Sequence, residues 1–456
     1  MFKPKVLGRL AVIAFAVATP SLAAESFRPA TEIRVLDNVF LVRDKPGTQL
    51  SFHMLVNAGC GDEAGNQCKG LAHYLEHIVL TGRNPEHKDA AVRLFGNGSA
   101  NGWTNRSATA YVHSVPARPE GNLADLEQLF TFYAARLKDF AIDPAEADRE
   151  RNVVLQEHDL RIGSSPATRF SRSLDARLIP NHVAGQWTIG TRETIQALTL
   201  DDARAFHKRW YVLNNVSFII KGDLEPDALK ALAERALAGL KPHSLPARNV
   251  ARPIEFVPGR EDVRESHPQV TRATVIFKKL ISLPDTDTSQ ARAARVMVAN
   301  FLGSQLPGSA NHALTEVRVL AAGRPHVNLD RAAPGRVVLT VSAECAPDVQ
   351  PDELLAAITS WVDGLSASTL TPETLTRLKL RFANGTAEAD KQPAQVHSRL
   401  INWLASRNKY PELQGWRQQV ADVPAGTVAA ATAALAGPGR IVTGILEPTA
   451  RTEASK

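Results

Sequence analysis

Hydrophobic residues recur along this chain with two periods, and the switching between them outlines its elements. Near-alternating apolar positions mark strands at Glu32–Leu36, Val39–Asp44 and Leu50–Gly59, and again near Ala100–Thr104 and Thr109–Val115. Apolar residues three and four apart mark helices at Lys69–Thr81, Lys88–Phe95, Leu123–Phe140, Pro144–Arg161 and Asp201–Trp210. The apolar run Val216–Lys221 reads as a strand that closes this first series. A second series follows in similar order. It has a strand at Ala273–Leu280, helices at Gln290–Leu302 and Ala310–Leu320, and a strand at Val337–Glu344. Helices at Asp352–Leu365, Pro372–Ala387 and Ala394–Ala405 come next, and a strand at Ile441–Leu446 ends it.

The two series end alike. Residues 219–226 read IIKGDLEP and residues 441–448 read IVTGILEP, 222 residues later, each an apolar strand running into Gly and then Leu-Glu-Pro. A duplicated order of strands and helices predicts an α+β chain of two homologous α/β domains, each a mixed sheet packed with helices. The first domain is expected over residues 25–240 and the second over 266–456, with the Pro-, Arg- and polar-rich interval 241–265 as a linker. A length of 456 residues accommodates two cores.

Residues 1–24 belong to neither series. Lys3, Lys5 and Arg9 precede the apolar run Leu10–Ala18, and small residues follow at Ser21–Ala24. That order reads as a secretory signal peptide cleaved after Ala23 or Ala24. The run is too short to span a bilayer and no later segment approaches a span, so a soluble exported protein is expected, most simply in a bacterial periplasm. Losing the three leader cations lowers the formal charge from +6 to +3. There is no dense Lys/Arg block with interleaved aromatics, which argues against nucleic acid as a partner. Of three cysteines, Cys60 and Cys68 bracket the short loop Gly61–Gln67. An oxidising compartment lets them pair, tying a strand end to a helix start; two free thiols are the alternative. Cys345 is left over and expected to be buried and inert, and no cysteine spacing resembles a metal site.

The stretch GLAHYLEHIVLTG, Gly70–Gly82, carries the chemistry. Positions i and i+4 share a helix face, so His73 and His77 present two imidazoles one turn apart, half of a tetrahedral metal site. Glu76 reaches the edge of the same face, giving H-x-x-E-H, the reverse of the commoner zinc motif. Two neutral imidazoles suit zinc, and the carboxylate suits a general base. Leu71, Tyr74, Leu75, Ile78 and Val79 would bury the rest of the helix, and Gly82 is a natural stop. A third protein ligand is sought in Asp148–Ile162, DRERNVVLQEHDLRI. Glu150 and Glu157 stand two turns apart on one face, so that one can ligate while the other supports. His158 is a rival, but it points off that face. At the 222-residue offset the metal motif falls on Arg295, Val298 and Ala299, so the second half repeats the fold without the chemistry.

These residues resemble the pitrilysin/insulinase family of inverted-motif zinc metallopeptidases, in the short bacterial form similar to mitochondrial processing peptidase subunits. NAGCGDEAGNQCKGLAHYLEH is similar to the family's strand, turn and metal helix, with a cysteine-bracketed loop as a variation. ERNVVLQE resembles its second motif, which implies Glu157 as the zinc ligand and Glu150 in a supporting catalytic role. NGWTNRSATAYVHSVP resembles the segment whose edge strand pairs with an extended peptide, which implies Asn101 and Gly102 as substrate-binding positions. The family's second domain holds substrate with an Arg and a Tyr seven residues later. Here TEVRVLAAGRPHV offers Arg318, but Pro325 stands where the tyrosine is expected, flanked by Arg324 and His326.

The resemblance implies a periplasmic endopeptidase carrying one Zn2+ per chain and cleaving short or unfolded polypeptides, its two domains arranged as a clamshell around a chamber that admits extended chains. His73, His77 and Glu157 would hold the metal and Glu76 would act as base. The departure at Pro325 implies a catalytic subunit working beside a homologous partner chain that supplies the Arg/Tyr pair, or as a homodimer, without stable membrane insertion. The alternative is a non-catalytic peptide-binding or assembly subunit, against which the intact H-x-x-E-H argues.

Overall fold

A computed structural model of the chain describes residues 32–65, 67–81, 99–248, 253–283 and 288–449. The expected signal peptide, the stop at Gly82 and the helix expected at Lys88–Phe95 lie outside the described residues.

Two mixed sheets organise the chain. The first is built from β1 (Glu32–Leu36), β2 (Val39–Arg43), β3 (Leu50–Val56), β4 (Ser99–Thr104), β5 (Thr109–Val115) and β6 (Val216–Gly222), in the order β1-β2-β6-β3-β5-β4. The second is built from β7 (Gly259–His267), β8 (Thr274–Ser282), β9 (His326–Ala333), β10 (Arg336–Glu344) and β11 (Gly439–Pro448), in the order β7-β11-β8-β10-β9. With β1 set aside, the two orders match position by position. The parallel pair is duplicated too, β2 with β6 and β7 with β11, while the remaining pairs are antiparallel. The repeated IIKG and IVTG segments are therefore the closing strands, each inserted beside the first strand of its repeat.

The helices that matter here are α1 (Leu71–Thr81), α2 (Leu123–Lys138), α3 (Pro144–Ser164), α4 (Pro166–Leu178), α5 (Ser289–Leu302) and α6 (Pro393–Ala405). Period-2 side chains of the first sheet go to two different cores. Phe52, Met54, Val56, Tyr111, Phe218 and Ile220 pack against α1 and α2 through Tyr74, Leu75, Phe130 and Tyr133. Leu55, Ala110 and Ile219, on the other face, pack against Leu400, Ile401 and Leu404 of α6, a helix from the second half. The exchange is reciprocal. Phe170, Leu174 and Leu178 of α4 lie on Ile276, Leu280, Val442 and Leu446 of the second sheet. Burial on both faces explains why Val216–Lys221 reads as a continuous apolar run rather than an alternating one. It also explains the glycine in the IVTG repeat: a Cβ on Gly444 would lie 2.6 Å from both Leu174 Cδ1 and Phe170 Cε1.

Some elements differ from the sequence reading. The interval 241–265, expected as a linker, ends in the strand β7, whose sequence GREDVRESH is polar because it is an edge strand exposed along most of its length. β9 is the opposite edge, HVNLDRAA, and buries only Leu329 and Ala333. The helix expected at Ala310–Leu320 is a π-helical turn, His312–Val317, followed by Val319 at φ 52, a left-handed conformation that a β-branched residue adopts only under strain. Pro166 restarts the chain as α4 after Ser165, whose side chain caps the new helix by accepting from Thr168 N. Pro166–Leu178, Pro226–Leu237, Tyr410–Ala421 and Ala425–Ala434 are further helices beyond those expected. No helix among the described residues is long and apolar enough to cross a membrane.

Candidate metal centre

The helix α1 is fixed at both ends. A disulfide joins Cys60 to Cys68 across the loop that leads into it, and Cys345 is a buried free thiol. The fully buried carboxylate of Glu63 accepts from Lys69 N at 2.6 Å and Ala72 N at 2.9 Å, satisfying amides of the helix start. Gly70 turns the chain at φ +88, where a Cβ would stand 2.2 Å from Ile189 O. Further along, Tyr74 Oη donates to Ala147 O at 2.8 Å and Arg136 Nε donates to Val79 O at 2.7 Å. Ala72, Tyr74, Leu75, Ile78 and Val79 bury one side. The side left over carries His73, Glu76 and His77, which face α3 and β4.

α3 begins at the cap Asp143, whose side chain accepts from Ala145 N, with Pro144 in the first turn. It brings both expected glutamates to the imidazoles. Glu157 Oε2 lies 3.5 Å from His73 Nε2 and 3.3 Å from His77 Nε2. The two rings are 4.9 Å apart at 78°. One donor atom from each of His73, His77 and Glu157 falls within 4.8 Å of the others, and they form the one such cluster among the described residues. Glu150, deeply buried, sits on the far side of His77, with Oε2 3.5 Å from Nδ1. Arg161 pairs with the second oxygen of Glu157, and Arg149 lies 3.6 Å from that of Glu150. His158 faces Asp159 at 3.3 Å and the Trp187 ring, apart from the cluster.

Glu76 is buried against β4. Its Oε2 accepts from Thr104 Oγ1 at 2.6 Å. Gly102 shares that face of β4, and a Cβ there would lie 2.4 Å from Glu76 Oε1. The glycine thus lets the strand press on the carboxylate. Thr104 went unnoticed in the sequence; the signal for it was its i+2 spacing from Gly102 on a strand next to the metal helix. Asn101 is exposed, and its Oδ1 accepts from Gly102 N at 2.8 Å. Among the described strands β4 pairs only with β5, and no other lies along its outer edge. Arg318 ends the π-helical turn, is exposed, and has no hydrogen bond to the cluster. In the second half, α5 carries Arg295, Val298 and Ala299 where the metal motif would repeat; Val298 belongs to the core.

The electrostatics divide the imidazoles. Burial, reinforced by His77, lowers His73 to about 4. Burial also acts to lower His77, but the Glu150 and Glu157 carboxylates outweigh it and hold His77 at about 9. Burial would raise Glu157, yet the His77 hydrogen bond and the charges of His73 and Arg161 carry it below the usual glutamate value. Glu76 is raised to about 7 by burial, against the Thr104 hydrogen bond and His77. Two imidazole nitrogens and one carboxylate oxygen converging on one point are the donor set of a three-ligand zinc site with an open fourth position, and the residues fit it. Glu150 beside His77 Nδ1 stands where such sites place an outer carboxylate that orients an imidazole. The buried His73 Nδ1 has no partner among the described residues.

Two family profiles match the chain: Insulinase (Peptidase family M16) over residues 38–174, and Peptidase M16 inactive domain over residues 197–382, which lies outside the metal cluster. The chain is 25% identical to the "Probable zinc protease PqqL" of Escherichia coli (strain K12) over 205 residues, 43% of this chain and 21% of that protein. It is 25% identical to the mitochondrial-processing peptidase subunit beta of Blastocladiella emersonii over 214 residues, 45% of this chain and 44% of that subunit. Both matches span less than half of the relative. The crystal structure of a protease from Helicobacter pylori matches with a TM-score of 0.72 at 18% identity, covering 92% of this chain and all of that one. The structure of the periplasmic protease PqqL from Escherichia coli matches at 0.71 and 17%, covering 92% and 47%. At these identities the structural likeness is one of fold.

Proposed function

The chain belongs to the insulinase family of peptidases, family M16, and on that premise we propose that it is a zinc-dependent endopeptidase of the periplasm that cleaves short or unfolded polypeptides. The observation that carries this reading is the convergence of His73, His77 and Glu157 beside the buried carboxylate of Glu76. His73 Nε2, His77 Nε2 and Glu157 would hold the metal, and Glu150 would hold His77 in the ligating tautomer. Zinc, when bound, supplies Lewis acidity, acidifying water and polarising the scissile carbonyl. Glu76 is the general base: it takes a proton from the attacking water and returns it to the leaving amine. A carboxylate raised to about 7 is suited to both transfers near neutral pH. Thr104 fixes Glu76 through Oε2, leaving Oε1 for the water.

The outer edge of β4, which no described strand covers, would take the peptide as an added strand, with Asn101 and Gly102 as its contacts. Main-chain pairing there requires an extended substrate, which folded proteins do not offer. Arg318 is a substrate contact of the second half. Pro325 leaves that half without a phenol, so a homologous partner supplying an Arg/Tyr pair, or a second copy of the chain, would complete the enzyme. The export leader in residues 1–24 and the relative named a periplasmic protease support the location.

The test is hydrolysis of an unstructured peptide by the zinc-loaded chain and by Glu76→Gln, with and without such a partner. Turnover is expected to vanish in the variant while its metal content stays the same. Full activity of Glu76→Gln would remove the base assignment.

A further inference from the structure

After Thr104, β4 turns at Asn105–Ala108 into β5. The turn is unusually well held. Asn105 Oδ1 accepts from Ser107 N at 2.7 Å and Ala108 N at 2.8 Å. Cys60 N donates to Asn105 O at 3.1 Å, and Gly61 N donates to Arg106 O at 2.9 Å. Arg407 Nε, from just beyond α6, donates to Ser107 O at 3.0 Å. Gly61 permits the approach: a Cβ there would stand 2.7 Å from Arg106 O. The disulfide loop holds the turn at Asn105 and Arg106, and Arg407, just past the exchanged helix, holds it at Ser107.

Its side chain enters the space between the two halves. Arg106 and Asp330 line two cavities there, of about 650 and 1060 Å³. Several other cations of these walls hold carboxylates: Lys278 pairs with Asp175 at 2.5 Å, Arg292 with Glu412 at 3.0 Å, Arg399 with Asp390 at 2.7 Å, and Arg407 with Asp62. Arg106 makes no ion pair with any described residue; Asp330 and Asp175 act on it only at longer range. A half-buried guanidinium on a rigid turn that faces a cavity, with Asp330 and Asp175 on its walls but neither in ion-pair reach of it, is placed to receive an anion.

We propose that Arg106 is a specificity residue that receives a carboxylate of the bound peptide, either an acidic side chain or the C-terminus. This rests on the peptidase reading above. Arg106 lies two residues beyond Thr104, the residue that holds Glu76, in the turn that closes the β4–β5 ladder. A peptide paired to β4 with its scissile bond at Glu76 and running on past Thr104 therefore brings a residue a few positions away to Arg106. The fork of the guanidinium matches a carboxylate by two parallel N–H donors, and an amide in the same place loses the charge.

The test is a set of unstructured decapeptides in which one Glu is walked past a fixed cleavage position. Each has a Gln counterpart, and each is made with a free and an amidated C-terminus. The kcat/KM of the whole chain and of Arg106→Gln is measured on all of them, with Kd on Glu76→Gln by fluorescence polarisation. Glu is expected to exceed Gln about tenfold at one position, the worth of one charge-assisted hydrogen bond. That ratio should collapse to about one in Arg106→Gln. If the C-terminus is the ligand, amidation rather than Glu→Gln produces the tenfold loss. The same charge preference in the whole chain and in Arg106→Gln, or no preference in either with peptides still cleaved, would overturn the proposal and leave the peptidase reading intact. Failure to bind or cleave any peptide, with a partner supplying the Arg/Tyr pair added as well, would overturn both. The peptide series on the unsubstituted chain does not depend on how well the variants fold.

Discussion

Substituting Gly102 by alanine adds one methyl group, and the structure says where it goes. The new Cβ would lie 2.4 Å from Glu76 Oε1, 2.9 Å from Cδ and 3.0 Å from Cγ. Contacts of that kind are shorter than carbon and oxygen tolerate by roughly 1 Å. β4 is held in register by β5, so the carboxylate moves instead, breaking its 2.6 Å hydrogen bond from Thr104. A catalytic group displaced by about 1 Å costs on the order of 10²-fold in rate. We therefore expect kcat of Gly102→Ala to fall about 10²-fold while zinc content is unchanged, because His73, His77 and Glu157 are not touched. The added methyl could instead hinder the peptide, and a second background separates the two effects. Glu76→Asp withdraws the carboxylate by one methylene, so Gly102→Ala should cost about tenfold less in that background. Stopped-flow cleavage of a quenched fluorescent peptide gives kcat for all four proteins. Normal kcat in Gly102→Ala, or an equal penalty in both backgrounds, would refute the reasoning.

Other expectations follow from the same geometry. Thr104→Val removes the donor to Glu76 and should lower kcat about tenfold, with Thr104→Ser retaining most of it; equal rates for both would show that the bond is idle. His77 is held at about 9 in the metal-free chain, so at neutral pH zinc must displace a proton from it. Zinc affinity by calorimetry should rise toward tenfold per pH unit below about 9, and a flat profile from pH 6 to 8 would contradict this. Phe170→Ala in α4 should destabilise the chain by about 3–5 kcal/mol even though the side chain packs on the other half's sheet. Because α4 and α6 cross over, denaturant unfolding monitored by Trp210 and Trp361 should shift together, and separate transitions would show the halves to be independent.

Much of the site could be read from spacing alone. His73 and His77 share a face because i and i+4 always do on a helix, and Glu150 and Glu157 share one because seven residues make two turns. The direction of each carboxylate was not in the spacing: Glu157 meets both Nε2 atoms and Glu150 meets Nδ1 of His77 only because α3 crosses α1 where Tyr74 bonds to Ala147. Thr104 depends on the sheet bringing β4 alongside α1, a contact between residues 28 apart that no local pattern encodes. The duplicated strand order was foreshadowed by the IIKG and IVTG repeats. The crossing of α4 and α6 was not, since periodicity names a buried face but not its partner. β7 escaped notice because an edge strand can be polar on both sides, and β9 because its alternation is limited to Val327 and Leu329. The π-helical turn before Arg318 escaped because its apolar spacing is that of a helix up to the strained Val319.

The most direct measurement is a zinc titration of the purified whole chain, by calorimetry with X-ray absorption at the zinc edge, beside Glu157→Gln and Glu76→Gln. The account predicts one zinc per chain with two imidazole nitrogens and a carboxylate oxygen around it, affinity largely lost in Glu157→Gln and kept in Glu76→Gln. A chain that binds no zinc, or one whose zinc site survives Glu157→Gln unchanged, would contradict it.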